Sequence, residues 1–245
     1  MLISPLVDLA MRVAPPRMAF RIEQMRQARW GNTEPEWRLL HELADPDRAA
    51  VDVGGNHGLY AGQLARLCPQ VHCFEPQPAL VAELQRKLPR NVTIHNMALS
   101  DTTGIATLRV PPGDDGRASL HPANAVRGDT LLVPLRRLDD VVREPVGFMK
   151  IDVEGHEMAV LRGAEEIIRR DRPALLVEAE AMHEPSQPFE LFRHLFDRGY
   201  AGWFLWQGER LSVEAFSPET HQREDRMGGY AHNFMFCANA DWPLR

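Results

Sequence analysis

The stretch Ala50-Val51-Asp52-Val53-Gly54-Gly55-Asn56-His57-Gly58-Leu59-Tyr60 decides how this chain folds. A short apolar run ends at an acid, a glycine-rich turn follows, and the pattern then changes to helical spacing. A parallel strand that hands its carboxyl end to a tight loop over a nucleotide reads this way. A second apolar run, Val71-His72-Cys73-Phe74, ends at Glu75-Pro76, and Glu75 follows Asp52 by 23 positions. That is close to the roughly 20 residues at which a strand-end carboxylate meets ribose hydroxyls. The two elements together call for a ligand with an adenosine moiety.

Around this core the pattern alternates strand and helix. Strands are expected over 49–53, 71–75, 92–96, 148–152 and 174–178, and helices over 57–68, 78–88, 157–170 and 189–198. Short apolar runs between amphipathic helices build an α/β fold with a doubly wound, mostly parallel sheet. Residues 107–110 and 130–135 read as shorter strands. The segment 111–129 between them, rich in Pro, Gly, Asp and Asn, reads as a mobile loop that carries substrate contacts. Two last strands are expected at 203–205 and 233–237, separated by the polar stretch 217–229. Residues 1–45 read as a helical N-terminal extension, interrupted at Pro15-Pro16.

Composition narrows the class. The 245 residues are 44% hydrophobic and 25% charged, ordinary for a globular protein with a large core. A net charge of -6 argues against a nucleic-acid surface, which needs clustered Lys and Arg. Three cysteines without C-x-x-C spacing exclude a disulfide framework and a cysteine-based zinc site. No apolar run reaches the roughly 18 residues needed to span a bilayer, and no signal-peptide pattern opens the chain. Reduced thiols and these absences lead us to expect a cytoplasmic protein.

The turn itself separates two ligand classes. A dinucleotide fingerprint has the spacing G-x-G-x-x-G, whereas this chain has D-x-G-x-N-x-G over Asp52, Gly54, Asn56 and Gly58. An acid beside the turn suits a cation better than a diphosphate. S-adenosylmethionine (SAM), with its sulfonium and amino-acid end, fits that requirement. Two further strands end in acids, at Met149-Lys150-Ile151-Asp152-Val153-Glu154 and at Leu175-Leu176-Val177-Glu178. Asp52, Glu75, Asp152 and Glu178 therefore converge on one edge. Isolated carboxylates beside a core are expensive, so the convergence points to polar chemistry.

These elements resemble the FkbM family of SAM-dependent methyltransferases. The similarity rests on V-D-V-G-G-N-H-G-L-Y (51–60), F-E-P (74–76), A-L-S-D (98–101), L-D-D (138–140), K-I-D-V-E-G-H-E (150–157), L-R-G-A (161–164), R-P-A-L-L-V-E (172–178) and N-F-M-F (233–236). The resemblance implies a class I methyltransferase (Rossmann-like) domain over 46–245, with a seven-stranded sheet whose last strand runs antiparallel. The extension 1–45 would pack on it, close it as a lid or form a homodimer contact. The implied activity is O-methylation of a small molecule or glycan, a sugar or polyketide-type acceptor, with S-adenosylhomocysteine (SAH) as product.

By position, the resemblance places Asp52, Gly54, Asn56 and Gly58 along the amino-acid end of SAM and Glu75, with Pro76, on the ribose. Ser100 and Asp101 would flank the adenine, and Asp152 and Glu154 would face the methyl group. An alcohol attacks only as its proton leaves, so a base is needed. His183 is the first candidate, as an imidazole just beyond a strand end, with Asp152 and His156 behind it. Asp152, Glu178, Glu180 and His183 offer ligands to a divalent metal, yet no dedicated metal motif is present. A SAM-binding partner module without activity is the competing reading.

Overall fold

The computed structural model describes residues 14–30, 34–113, 115–120, 129–181, 186–223 and 229–238. Its strands in chain order are β1 (Ala49–Val53), β2 (Val71–Phe74), β3 (Val92–His95), β4 (Ala98–Leu99), β5 (Gly104–Val110), β6 (Asp129–Arg136), β7 (Val146–Ile151), β8 (Ala174–Glu178), β9 (Ala201–Trp206), β10 (Glu209–Ser212) and β11 (Asn233–Cys237). The main sheet runs β10-β9-β11-β8-β7-β1-β2-β3. From β3 to β8 every pairing is parallel, whereas β11 lies antiparallel between β8 and β9. The expected seven strands with an antiparallel last strand are therefore present.

An eighth strand, β10, joins the edge by an antiparallel hairpin with β9. Gln207 and Gly208 both take positive φ (53° and 83°), the two-residue turn that matches strand twist. Its polar sequence, Glu-Arg-Leu-Ser, hides an edge strand from periodicity arguments. β5 and β6 are longer than expected and pair antiparallel, in a separate small sheet with β4.

Strands buried on both faces need helices on both sides. On one face Val53, Phe74, Met149, Ile151 and Val177 pack with Val160, Leu161, Ile167, Leu191 and Leu195 of the helices Glu157–Gly163, Glu165–Asp171 and Gln187–Phe196. On the other, Ala50, Cys73, Phe148, Leu176 and Met235 pack with Tyr60, Leu64 and Leu84 of the helices Leu59–Leu64 and Pro78–Lys87. Trp37, Leu40 and Leu43, from the stretch before β1, complete that second layer. The helix Pro16–Trp30 sits outside it. Gln24 Nε2 donates to the Leu59 carbonyl at 3.2 Å, and a Cβ on Gly62 would meet Phe20 at 2.5 Å. No described helix is long and apolar enough to cross a membrane.

The single helix expected over 157–170 is two helices, divided at Ala164. The division is imposed by two contacts from elsewhere in the chain. A Cβ on Gly163 would lie 2.0 Å from the Ser100 carbonyl oxygen, so the backbones touch there. The buried Asp139 carboxylate then accepts from the amides of Glu166 and Ile167, both at 3.1 Å, and caps the second helix from another segment. Asp139 belongs to the L-D-D motif, whose role here is structural. Replacing Asp139 by alanine leaves two helix-end amides unsatisfied and should cost about 1–2 kcal/mol. A thermal melt of Asp139→Ala should show a Tm drop of roughly 2–4 °C per kcal/mol.

Candidate active site

The glycine turn opens at the carboxyl end of β1. Gly54 (φ +84°) and Gly55 both donate their amides to the Phe74 carbonyl at 3.0 Å, which ties the turn to β2. A Cβ on Gly54 would stand 1.8 Å from the Asp152 carbonyl oxygen, so only glycine lets the turn pass beside the end of β7. Asn56 follows in a left-handed conformation, φ 43°. Gly58, φ +74°, starts the helix Leu59–Leu64, where a Cβ would strike Leu84 at 2.5 Å. These two left-handed residues explain why the helix begins after His57.

Glu75 closes the turn from β2. One carboxylate oxygen accepts the Asn56 amide and the other the Gln77 amide, each at 2.9 Å. The carboxylate is thereby held in a fixed plane. The Asn56 side-chain oxygen is buried and has no hydrogen-bond partner among the described residues. Beside these groups lies an open cleft with about 610 Å³ of empty space. Its described lining includes Gly54, Asn56, Glu75, Pro76, Gln77, Asp152, Glu154 and His156, with Met97, Ala98, Leu99 and Leu108 as an apolar wall. Gly116, Ala118 and Leu120 also reach it, from the segment expected to carry substrate contacts. That segment folds back on β5 through paired Arg109 and Ser119 amides, and Ser119 Oγ donates to the Glu154 carbonyl at 2.6 Å.

The sequence candidates thus divide. Gly54, Asn56, Glu75, Pro76, Asp152, Glu154 and His156 meet at the cleft. Asp52, Gly58, Ser100 and Asp101 do not line it. Ser100 is buried behind the wall, where its hydroxyl lies 3.0 Å from His156 Nε2, and Asp101 is exposed. Gly58 serves helix packing. His183 lies outside the described residues.

Asp52 is fully buried beneath the turn, and neither carboxylate oxygen has a hydrogen-bond partner of good geometry among the described residues. Burial pushes its carboxyl up to about 7, although the Lys150 charge and the approaching Ala61 amide oppose that shift. Lys150 is the group the sequence reading passed over. It stands opposite Asp52 in the β1–β7 register and is 3% exposed. Its Nζ reaches Asp152 Oδ2 at 2.6 Å and lies 4.5 Å from the centre of the Tyr60 ring. Burial alone would lower the lysine pKa, but Asp152, Asp52 and Glu178 around it hold it above the ordinary value. A lysine inside the apolar run Val146–Ile151 was the available signal, because a buried ammonium requires anionic partners.

The loop after β7 is braced from below. Glu154 takes a left-handed conformation (φ 51°) and Gly155 follows at φ 94°. Buried Glu157 receives the amides of Val153 (3.2 Å) and Gly155 (3.0 Å) on one oxygen. Burial raises its carboxyl to about 7 against those bonds. Among the described residues no cluster of three His, Cys, Asp or Glu side chains is arranged to hold a metal ion. Beside Asp152, positive charge is already supplied by Lys150.

A doubly wound sheet with β11 antiparallel between β8 and β9, and a cleft over the ends of β1, β2 and β7, is the architecture of class I methyltransferases. The model of the FkbM methyltransferase domain matches residues 52–201, and the chain belongs to that family. Methyltransferase 1 of Beauveria bassiana is 30% identical over 148 residues, covering 49% of this chain and 59% of its own. The 31-O-demethyl-FK506 methyltransferase FkbM of Streptomyces tacrolimicus is 27% identical over 158 residues, covering 49% and 61%. The chain thus spans about 60% of the length of these curated relatives. A solved methyltransferase FkbM from Methylobacillus flagellatus KT shares the fold, with a TM-score of 0.52 at 19% identity over 95% of this chain and 58% of that one.

The raised carboxyls have a measurable consequence. In the unfolded chain Asp52 loses its proton near 3.8, whereas in the folded, ligand-free protein it holds it up to about 7. The folded state binds more protons in that window, so stability falls as pH rises through it. Asp52→Asn removes this contribution. Its ligand-free Tm should exceed that of the wild type at pH 8, and the gain should vanish near pH 4.

Proposed function

We propose that this protein transfers a methyl group from SAM to a hydroxyl of a small molecule or glycan. The observation that carries the reading is the Glu75 carboxylate, fixed by the Asn56 and Gln77 amides at the mouth of the cleft. A carboxylate held in this way suits the two hydroxyls of a ribose. The donor fits the residues on two further counts. Gly54 lets backbone approach where a side chain would clash, and the orphaned Asn56 oxygen offers an acceptor to an ammonium group. The apolar wall of Met97, Ala98 and Leu99 suits an adenine face. When bound, SAM supplies an electrophilic methyl on a cationic sulfonium.

The chain's own groups then have three tasks. Glu75 and Asn56 hold the donor. Asp152 and Glu154, at the end of β7, set negative charge beside the sulfonium, and Asp52 adds to that field from below the turn. A base takes the acceptor's proton, and His183 remains our first assignment. His156 lines the cleft beside Ser100, and Asp152 lines it with Oδ2 committed to Lys150. Oxygen as the receiving atom agrees with the name of the Streptomyces relative, 31-O-demethyl-FK506 methyltransferase.

Calorimetric titration with SAH tests the donor site. Wild-type protein should bind, and Glu75→Ala should bind roughly 10- to 100-fold more weakly, as expected for lost bonds to a charged group. Tritium transfer from methyl-labelled SAM into a panel of sugars and polyketide alcohols tests the chemistry. His183→Ala should keep its SAH affinity and lose about 100-fold or more in turnover. Full turnover in that variant would move the role to His156 or Asp152. SAH binding without transfer to any hydroxyl would favour a partner module.

A further inference from the structure

On the face of the sheet covered by residues 34–43, a line of buried and part-buried polar groups leads to the cleft. It begins at Glu34, before the segment that matches the family. One Glu34 oxygen accepts a short hydrogen bond from the Tyr60 hydroxyl, and the other lies 3.6 Å from His232 Nε2, just ahead of β11. Glu34 therefore joins three segments: the N-terminal extension, the first helix after the glycine turn, and the last strand. Burial would raise its carboxyl, but the nearby His232 ring, the bond from Tyr60 and the Lys150 charge bring it down to about 2. The carboxylate is an anion at every working pH.

Tyr60 is buried with its ring edge against Trp37, centroids 5.2 Å apart. Its face receives the Lys150 ammonium at 4.5 Å. Lys150 in turn holds Asp152 Oδ2 at 2.6 Å, and Asp152 lines the cleft. The line of contacts is thus Glu34, Tyr60, Lys150, Asp152. The bond to Glu34 anchors the phenol oxygen, and with it the position of the ring between Trp37 and the Lys150 ammonium. Without it the ammonium loses one of its walls, and the carboxylate it orients can swing from the cleft.

We propose that Glu34 is a positioning residue of the donor site, acting through Tyr60 and Lys150 to hold Asp152 as the counter-charge to the sulfonium. The inference rests on the reading of the cleft as a SAM site. It assigns the N-terminal extension a part in recognising the donor's charge, beyond its packing role. Binding of SAH, which has no charge at sulfur, depends little on this device. Binding of SAM, or of sinefungin with its amine in place of the sulfonium, depends on it directly.

The test is the ratio of affinities for sinefungin and SAH, measured by calorimetry on the full chain, and it needs no acceptor. Wild-type protein should favour the cation. Glu34→Ala should lose about fivefold of that preference, the scale of a partly exposed charge pair, with SAH affinity unchanged. Tyr60→Phe should do the same, and the double variant should be no worse than either single one, because both break one line of contacts. Glu34→Gln keeps an acceptor for the Tyr60 hydroxyl and should restore most of the preference. A Glu34→Ala protein that melts earlier but keeps the wild-type ratio would overturn the proposal, as would additive losses in the double variant. If wild-type protein binds neither SAH nor sinefungin, the donor-site reading itself fails and this inference falls with it.

Discussion

The rim of this sheet depends on the Lys150 ammonium. Asp52, fully buried, Glu178, part-buried, and Asp152, 28% exposed at the cleft, approach one another at the ends of neighbouring strands. Three anions so placed repel each other and pay for desolvation as well. Lys150, central in register and bonded to Asp152, makes the arrangement tolerable. Even so, Asp52 and Glu178 stay raised by burial. The ligand-free rim is therefore under electrostatic strain, which a cationic ligand would relieve.

The backbone around the rim serves the same end. Gly54 passes beside the Asp152 carbonyl, Asn56 and Glu154 take left-handed conformations, and Glu157 spends its buried carboxylate on two loop amides. Two turns, after β1 and after β7, are thus locked against each other and aimed at one cleft. Glu75 and Asp139 work alike, each with a carboxylate that accepts two backbone amides. At Glu75 those bonds shape the edge of the cleft, whereas at Asp139 they start a helix. The residue type is the same, and only its place in the fold separates the two roles.

How much of this was legible beforehand follows from the range of each interaction. β1 and β8 were readable to the residue, since strand burial and turn chemistry are local. The cleft's Glu75, Asp152 and His156 were readable because each directly follows a strand or its turn. Ser100 looked like a ligand contact by position, yet it lies behind the wall against His156. The break at Ala164 and the strand β10 escaped, one because its cap comes from Asp139 and the other because a polar edge strand has no hydrophobic period.

The sequence by itself determined the strand–turn–helix order, the acids at the strand ends and the edge of the sheet at which they gather. These are consequences of neighbours along the chain and of the right-handed crossover rule. Tertiary structure alone decided what stands between those acids. It set Lys150 among them, sealed Asp52 beneath the turn, and brought Glu34 to Tyr60 and His232. Contacts between residues so distant in the chain leave no periodicity to read, because their energy exists only once the sheet has brought them together.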